Sequence, residues 1–190
     1  MMKLYGSKPS PYVRRLRMLM AKLDFEFVVV DVYAPADRAM LVKHNPTLKI
    51  PMLDDNGQIV LDSGVIYQYL ASKGQADALS VAQQNHLSAI EAATDSFVNL
   101  FLLKRSNVDT DQDALYFRLQ RERIAAVFDS LESAIESKDF ARWDFLTMTL
   151  FALLDWIIYR ELYKMDNYPK LCAFVDRYAR HEDVISTDPR

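Results

Sequence analysis

Met52-Leu53-Asp54-Asp55-Asn56-Gly57-Gln58-Ile59-Val60-Leu61-Asp62-Ser63 is the stretch whose reading decides the fold. Two apolar runs, Met52-Leu53 and Ile59-Val60-Leu61, flank Asp54-Asp55-Asn56-Gly57. Asn-Gly between such runs signals a hairpin, because both central residues of a two-residue turn must accept positive φ. Asp62-Ser63 then opens a helix carrying Val65, Ile66, Tyr69 and Leu70. The stretch thus reads strand, turn, strand, helix.

Working outward, the upstream chain alternates strand and helix signals. Lys3-Leu4-Tyr5 is a short β-type run ended by Gly6. Pro11 to Leu23 reads as a helix with Val13, Leu16 and Leu23 on one side, Pro11 at its first position and Ser10 as N-cap. Phe25 to Val32 is β-branched and aromatic and reads as a buried strand. Ala36 to His44 reads as a second helix, stopped by Asn45-Pro46. The order is β-α-β-α-β-β-α. Two strands joined by a helix run parallel and the hairpin adds antiparallel partners, so a four-stranded mixed sheet is expected.

After the polar connector around Ser72-Lys73-Gly74-Gln75 no strand signal appears. Leu87, Ile90, Thr94, Phe97 and Phe101 recur at helical spacing, as do Ile124, Val127, Phe128, Leu131 and Ile135. Thr147 to Tyr159 is apolar nearly all round and should be a central helix, and Tyr168-Pro169 opens a last one. The expectation is an α/β domain over residues 1–76 and an all-α helical bundle over 81–190. A cleft between two such domains is a common place for a ligand.

Composition narrows the function classes. Of 190 residues, 51% are hydrophobic and 26% charged, with a net charge of −3, which excludes a disordered chain. The charge argues against non-specific nucleic-acid binding. Residues 1–76 carry ten Lys and Arg against seven Asp and Glu, a balance suited to a small anionic ligand. No secretory signal precedes the first strand-like run, and the longest apolar stretch, Phe145 to Tyr159, is shorter than the roughly 20 residues a bilayer demands. No membrane partner is expected. The single cysteine, Cys172, excludes an internal disulfide and a multi-cysteine zinc site. No metal is expected, and a reducing, cytoplasmic setting fits.

Three motifs carry candidate chemistry. Ser10 at a helix start caps it, and its hydroxyl, beside free N–H groups, also suits an anion. His44, His86 and His181 show no spacing that would make any of them its base. Leu48-Lys49-Ile50-Pro51 precedes a strand; a cis Ile50-Pro51 bond would open the Ile50 backbone to a peptide-like ligand, whereas a trans one marks only an edge. Asp62-Ser63 is an N-cap, and equally a place where Ser63 grips a carboxylate and Asp62 pairs with an ammonium.

In order and spacing these motifs resemble a glutathione S-transferase. The residues concerned are Lys3-Leu4-Tyr5-Gly6, Ser10-Pro11-Tyr12-Val13-Arg14-Arg15, Asn45-Pro46-Thr47-Leu48-Lys49-Ile50-Pro51 and Leu61-Asp62-Ser63-Gly64-Val65-Ile66. The likeness covers nearly all of the first 76 residues; beyond them it rests on helix pattern. The resemblance implies a thioredoxin-like N-terminal domain, a helical C-terminal domain, glutathione as co-substrate, a small hydrophobic electrophile as second substrate, a role in detoxification and a homodimer. Ser10 matches the residue that hydrogen-bonds the glutathione sulfur and stabilises its thiolate. Ile50 and Pro51 match the backbone-pairing residue and the cis-proline. Lys49 lies where a side chain meets the glycyl carboxylate, and Asp62 and Ser63 match the pair that holds the γ-glutamyl end. The electrophile is expected near Lys8-Pro9, Tyr12, Phe97, Phe101 and Lys104, and Asp95 is placed to reach a neighbouring subunit's ligand. The family includes proteins that bind without catalysis, and glutathione-dependent reductases and isomerases, which remain alternatives. Its central helix begins Ser/Thr-x-x-Asp; Thr147 matches the first position but Leu150 stands at the acid, so half of that capping box is expected to be missing.

Overall fold

The computed structural model describes residues 1–190. They form two compact units, Met1–Ala78 together with Ala179–Arg190, and Leu79–Tyr178. The first 78 residues run β1 (Met2–Gly6), α1 (Pro11–Leu19), β2 (Phe25–Val29), α2 (Pro35–His44), β3 (Met52–Asp55), β4 (Gln58–Leu61) and α3 (Ser63–Ser72). This is the element order the sequence implies. The sheet order is β2-β1-β3-β4, with β1 parallel to β2 and the other two pairings antiparallel. At the hairpin Asp55 pairs with Gln58, and Asn56 and Gly57 take φ of 53° and 94°, the left-handed values the Asn-Gly signal required. Leu4, Leu16, Leu53, Ile66 and Leu70 are all fully buried and form the centre of this unit.

Two upstream elements are shorter than the sequence suggested. Helix α1 ends at Leu19, after which Ala21 and Leu23 donate to Met18 and Met20, so the last turn continues as tight i+3 bonds. Strand β2 ends at Val29 because its partner runs out: Val30 still donates to the Gly6 carbonyl at 2.9 Å, and Gly6 is the last residue of β1. The expectation of a buried strand is corrected. β2 pairs only with β1, lies at the sheet edge, and leaves Val29 58% exposed. Phe27 is covered by the Arg17 guanidinium, 4.6 Å from its ring centre.

The second unit is helical: α4 (Val81–Arg105), α5 (Leu115–Ala134), α6 (Phe145–Tyr159) and α7 (Pro169–Tyr178). Helix α6 is central, with every residue from Phe145 to Ile157 buried. Phe128 of α5 anchors an aromatic cluster, its ring 5.8 Å from Phe97, 5.3 Å from Tyr163 and 5.4 Å from Tyr168. Glu132 of α5 accepts from the Lys170 and Leu171 amides at 2.9 and 3.0 Å and so caps α7 from a neighbouring helix.

The start of α6 corrects another expectation. The helix begins at Phe145, not at Thr147, and its N-cap is Asp144. Asp144 accepts from the Thr147 amide at 3.2 Å, and the Thr147 hydroxyl accepts from the Asp144 amide at 2.9 Å. A complete capping box is therefore present, with the acid at the cap and the threonine three residues on. Leu150 needs no acid; it is fully buried in the core.

The sequence reading ended the first domain at 76 and carried the second from 81 to 190. The last twelve residues, with α8 (Glu182–Ser186), instead belong to the first unit. The reason lies in α1: Arg14 donates to the Val184 carbonyl at 3.4 Å, and Arg17 to those of Thr187 and Ser186 at 3.2 and 3.3 Å. Cationic donors satisfy the carbonyls that the end of α8 leaves open.

Candidate functional site

The sheet register brings three loops to one end. Met52, the first residue of β3, stands opposite Tyr5 on one side and Leu61 on the other. Tyr5 lies near the end of β1 and Leu61 ends β4. The chain therefore leaves β1 towards Ser10, enters β3 from Ile50-Pro51 and leaves β4 into Asp62-Ser63, all at the same end of the sheet.

Ser10 is the half-buried N-cap of α1, its Oγ accepting from the Val13 amide at 3.4 Å. An accepting hydroxyl keeps its own proton to donate. The first turn of α1 holds no acid, so the positive end of the helix is not offset locally. The helix start is seated closely: a Cβ added to Gly6 would lie 2.5 Å from Val13 Cγ2, and Val13 is fully buried. None of the histidines bonds Ser10. His44 ends α2, His86 faces Asp139 at 3.7 Å, and His181 caps α8 by accepting from the Asp183 amide.

The second loop is shaped by Asn45, which sequence reasoning used only as a helix stop. Asn45 is buried; its amide donates to the Lys49 carbonyl at 2.7 Å while its oxygen accepts from the Thr47 amide at 2.9 Å. An Asx turn before a proline-rich segment is the local signal that could have found it. Leu48 takes a φ of 54°. The Ile50–Pro51 peptide bond is cis. Lys49 extends an exposed side chain from a backbone held by Asn45.

At the third loop Asp62 takes a φ of 71°, a left-handed value that acids tolerate through local hydrogen bonds. Its Oδ1 accepts from the Gly64 and Val65 amides at 2.8 and 3.3 Å. Ser63 is buried, and its Oγ accepts from Arg15 Nη2 at 2.5 Å. In the sequence Arg15 stands only as part of a motif; its pairing with a residue 48 positions away has no local signature.

The residues expected around an electrophile fare differently from one another. Phe97 is 3% exposed and belongs to the aromatic core of the helical unit. Phe101 is half-buried, its ring edge-on to Trp156 at 5.6 Å, and Lys104 is exposed. Elsewhere in the helical unit, a recess of about 530 Å³ is lined by Asn99, Leu102, Leu103, Ser106, Tyr116 and Phe117. Cys172, on α7, has its thiol pushed up from the ordinary value by burial and by Asp176, Glu132 and Asp166, which favours the protonated form. No helix is long and apolar enough to cross a membrane.

Residues 4–76 match the family profile described as Glutathione S-transferase, N-terminal domain. The chain is 31% identical over 142 residues to the uncharacterized GST-like protein YibF of Escherichia coli (strain K12), an alignment covering 69% of this chain and 68% of that protein. It is 38% identical over 72 residues to glutathione S-transferase hmp2 of Hypomyces subiculosus, covering 37% of this chain and only 34% of the relative. Among solved structures, a glutathione S-transferase from Methylobacillus flagellatus KT with glutathione bound superposes with a TM-score of 0.87 at 23% identity, over 100% of both chains. The chain belongs to the glutathione S-transferase family.

Proposed function

We propose that this chain binds glutathione at the end of the sheet where Ser10, Ile50-Pro51 and Asp62-Ser63 meet, stabilises its thiolate, and conjugates it to a small hydrophobic electrophile. The observation that carries the reading is the Tyr5–Met52–Leu61 row, which gathers three separate loops into one place. The structurally similar Methylobacillus protein holds glutathione, which supports the ligand.

The roles divide along the tripeptide. The Ser10 hydroxyl donates to the sulfur. The Ile50 backbone, separated from the start of the β3 ladder at Met52 only by Pro51, pairs with the cysteinyl peptide. Lys49 meets the glycyl carboxylate. Ser63 receives the γ-glutamyl carboxylate through its hydroxyl and amide, and Asp62, with Oδ1 taken by two amides, offers Oδ2 to the ammonium.

Magnitudes decide whether Ser10 suffices. A free thiol with a pKa of about 8.5 is roughly 3% thiolate at neutral pH. Making the thiolate dominant takes a drop of about 2 units, or roughly 2.7 kcal/mol. A hydrogen bond to a charged group contributes about 1.5–3 kcal/mol, and the helix start about 0.3–1 kcal/mol. Ser10 and the α1 terminus together reach the required amount without a general base. The thiolate lone pair then forms the new sulfur–carbon bond as the leaving group departs with its electron pair. The reading extends to a homodimer in the cytoplasm that disposes of such electrophiles, as the family resemblance implies.

Retention on immobilised glutathione tests binding. Turnover of a nitro-activated aryl chloride, compared with Ser10→Ala, tests the chemistry: a loss of about 10–100-fold is expected for one charged hydrogen bond. Equal turnover in the variant sinks the role of Ser10, and absence of retention sinks the ligand.

A further inference from the structure

We infer that the ends of α4 and α6 form a binding site for an aromatic carboxylate, with Arg160 receiving the carboxylate and Arg105 beside it. The site lies within the helical unit alone. Near the starts of the two helices Gln83 Nε2 donates to Asp144 Oδ2 at 3.0 Å, so α4 and α6 run in the same direction and finish together. At that finish the Phe101 ring stands edge-on to Trp156 at 5.6 Å. Two cations flank Phe101: Arg160 Cζ lies 5.5 Å from its ring centre and Arg105 Cζ 5.8 Å. Arg160 also lies 4.9 Å from the centre of the Tyr159 ring, which is 36% exposed.

Arg160 is the arginine whose charge the fold leaves unanswered. Arg14, Arg15 and Arg160 each bury Nε without a hydrogen-bond partner. The first two still donate through a terminal nitrogen, Arg14 to the Val184 carbonyl and Arg15 to the Ser63 hydroxyl. Arg160 is half-buried and its guanidinium meets only rings. A basic side chain at a helix end commonly turns back onto the last carbonyls. Here the backbone amide of Arg160 takes the Trp156 and Ile158 carbonyls, and the guanidinium stays on Phe101. A partly desolvated charge without a partner is costly to keep, and a second guanidinium over the same ring adds repulsion. An anion placed between the two removes both costs. The planar guanidinium fork matches a carboxylate with two parallel bonds. The accessible Tyr159 ring gives a flat aromatic body a surface to stack on. A ligand that is both acidic and aromatic uses the whole arrangement.

The test is calorimetry with 2-naphthoate, with 2-naphthamide, which keeps the rings without the charge, and with cyclohexanecarboxylate, which keeps the charge without the rings. No glutathione is present, so the outcome is independent of the function proposed above. The wild type is expected to bind 2-naphthoate at least about tenfold tighter than either analogue. Arg160→Met should weaken 2-naphthoate about 10–100-fold and 2-naphthamide less than about threefold. Arg105 is more exposed, so Arg105→Met should cost 2-naphthoate only about 3–10-fold. Lys164→Met removes the same charge from an exposed position and should shift neither ligand by more than about twofold. Thermal unfolding shows that each variant is folded. Should Arg160→Met fail to fold, Arg160→Lys decides: it keeps the charge without the fork and is expected to lose about tenfold, for 2-naphthoate only. No heat with 2-naphthoate at millimolar concentration would overturn the inference, as would equal binding of 2-naphthoate and either analogue. Unchanged 2-naphthoate binding in the Arg160 variant, or an equal loss in Lys164→Met, would overturn it too.

Discussion

Asp144 and Thr147 cap each other at the start of α6, each side chain accepting from the other's backbone amide. Thr147 is fully buried, and its hydroxyl also donates to the Arg142 carbonyl at 2.8 Å. Asp144→Ala should cost about 0.5–2 kcal/mol, the usual loss for an N-cap. The check is urea unfolding, where the midpoint should fall while the slope stays constant. An unchanged midpoint would remove the cap from the stability of this unit.

Gly6 is needed for its missing side chain. Any Cβ there meets Val13 Cγ2 at 2.5 Å and Cγ1 at 2.7 Å. A buried β-branched residue has few rotamers to retreat into. Gly6→Ala is expected to destabilise by about 1–3 kcal/mol, as overpacking does. Because Val13 also donates to Ser10, turnover should fall with the melting temperature, and Gly6→Ala with Val13→Ala should restore part of both.

Asp55 is an acid-side stability switch. It is 8% exposed and accepts from Lys73 at 2.5 Å, from Tyr69 at 2.8 Å and from Asn56 at 2.7 Å. The Lys73 bond, then the Tyr69 bond, hold its carboxyl below the ordinary 3.8. A lowered folded-state value gives stability that is complete above 3.8 and is lost as pH falls through the lower value. Lys73 is raised above 10.5 by the same bond, so the pair also weakens at the alkaline end, as pH rises through that higher value. Wild type and Asp55→Asn should therefore differ at neutral pH and converge in strong acid. A constant difference across that range would contradict the assignment.

The docking of α8 should be separable from the rest of the fold. Arg17→Gln removes the donors to Thr187 and Ser186 while leaving Arg14 on Val184. Amide exchange in Glu182–Ser186 should accelerate by roughly tenfold while amides of β1 and β3 stay protected, the signature of local opening. Uniform acceleration would mean that α8 opens only with the whole unit.

Cys172 should be a bystander. With its thiol pushed up by burial and by Asp176, Glu132 and Asp166, it should react with a disulfide reagent at neutral pH more slowly than free glutathione does. Cys172→Ser should keep glutathione-dependent turnover. Loss of turnover in that variant would point to redox chemistry through the protein's own sulfur.

What the sequence disclosed, and what it withheld, divides by reach along the chain. The Asn56-Gly57 turn and the Ser10 and Asp62 caps are local, and their residue types state their backbone needs outright. The Asp144 cap is also local, but its box reads acid first and threonine fourth, the reverse of the order sought. The edge position of β2 depends on what fails to pair with it, which composition does not carry. The Arg15–Ser63 bond and the Arg17–Thr187 bond join positions 48 and 170 apart, and only packing reveals them.

The polypeptide leaves its first unit at Ala78 and returns to it at Ala179. During synthesis, the carbonyls of Val184, Ser186 and Thr187 emerge from the ribosome long after the arginines of α1 that donate to them. The N-terminal sheet must wait, incompletely clasped, while the hundred residues of the helical unit are translated. Nascent chains stalled within that interval would carry an α1 still missing its final brace.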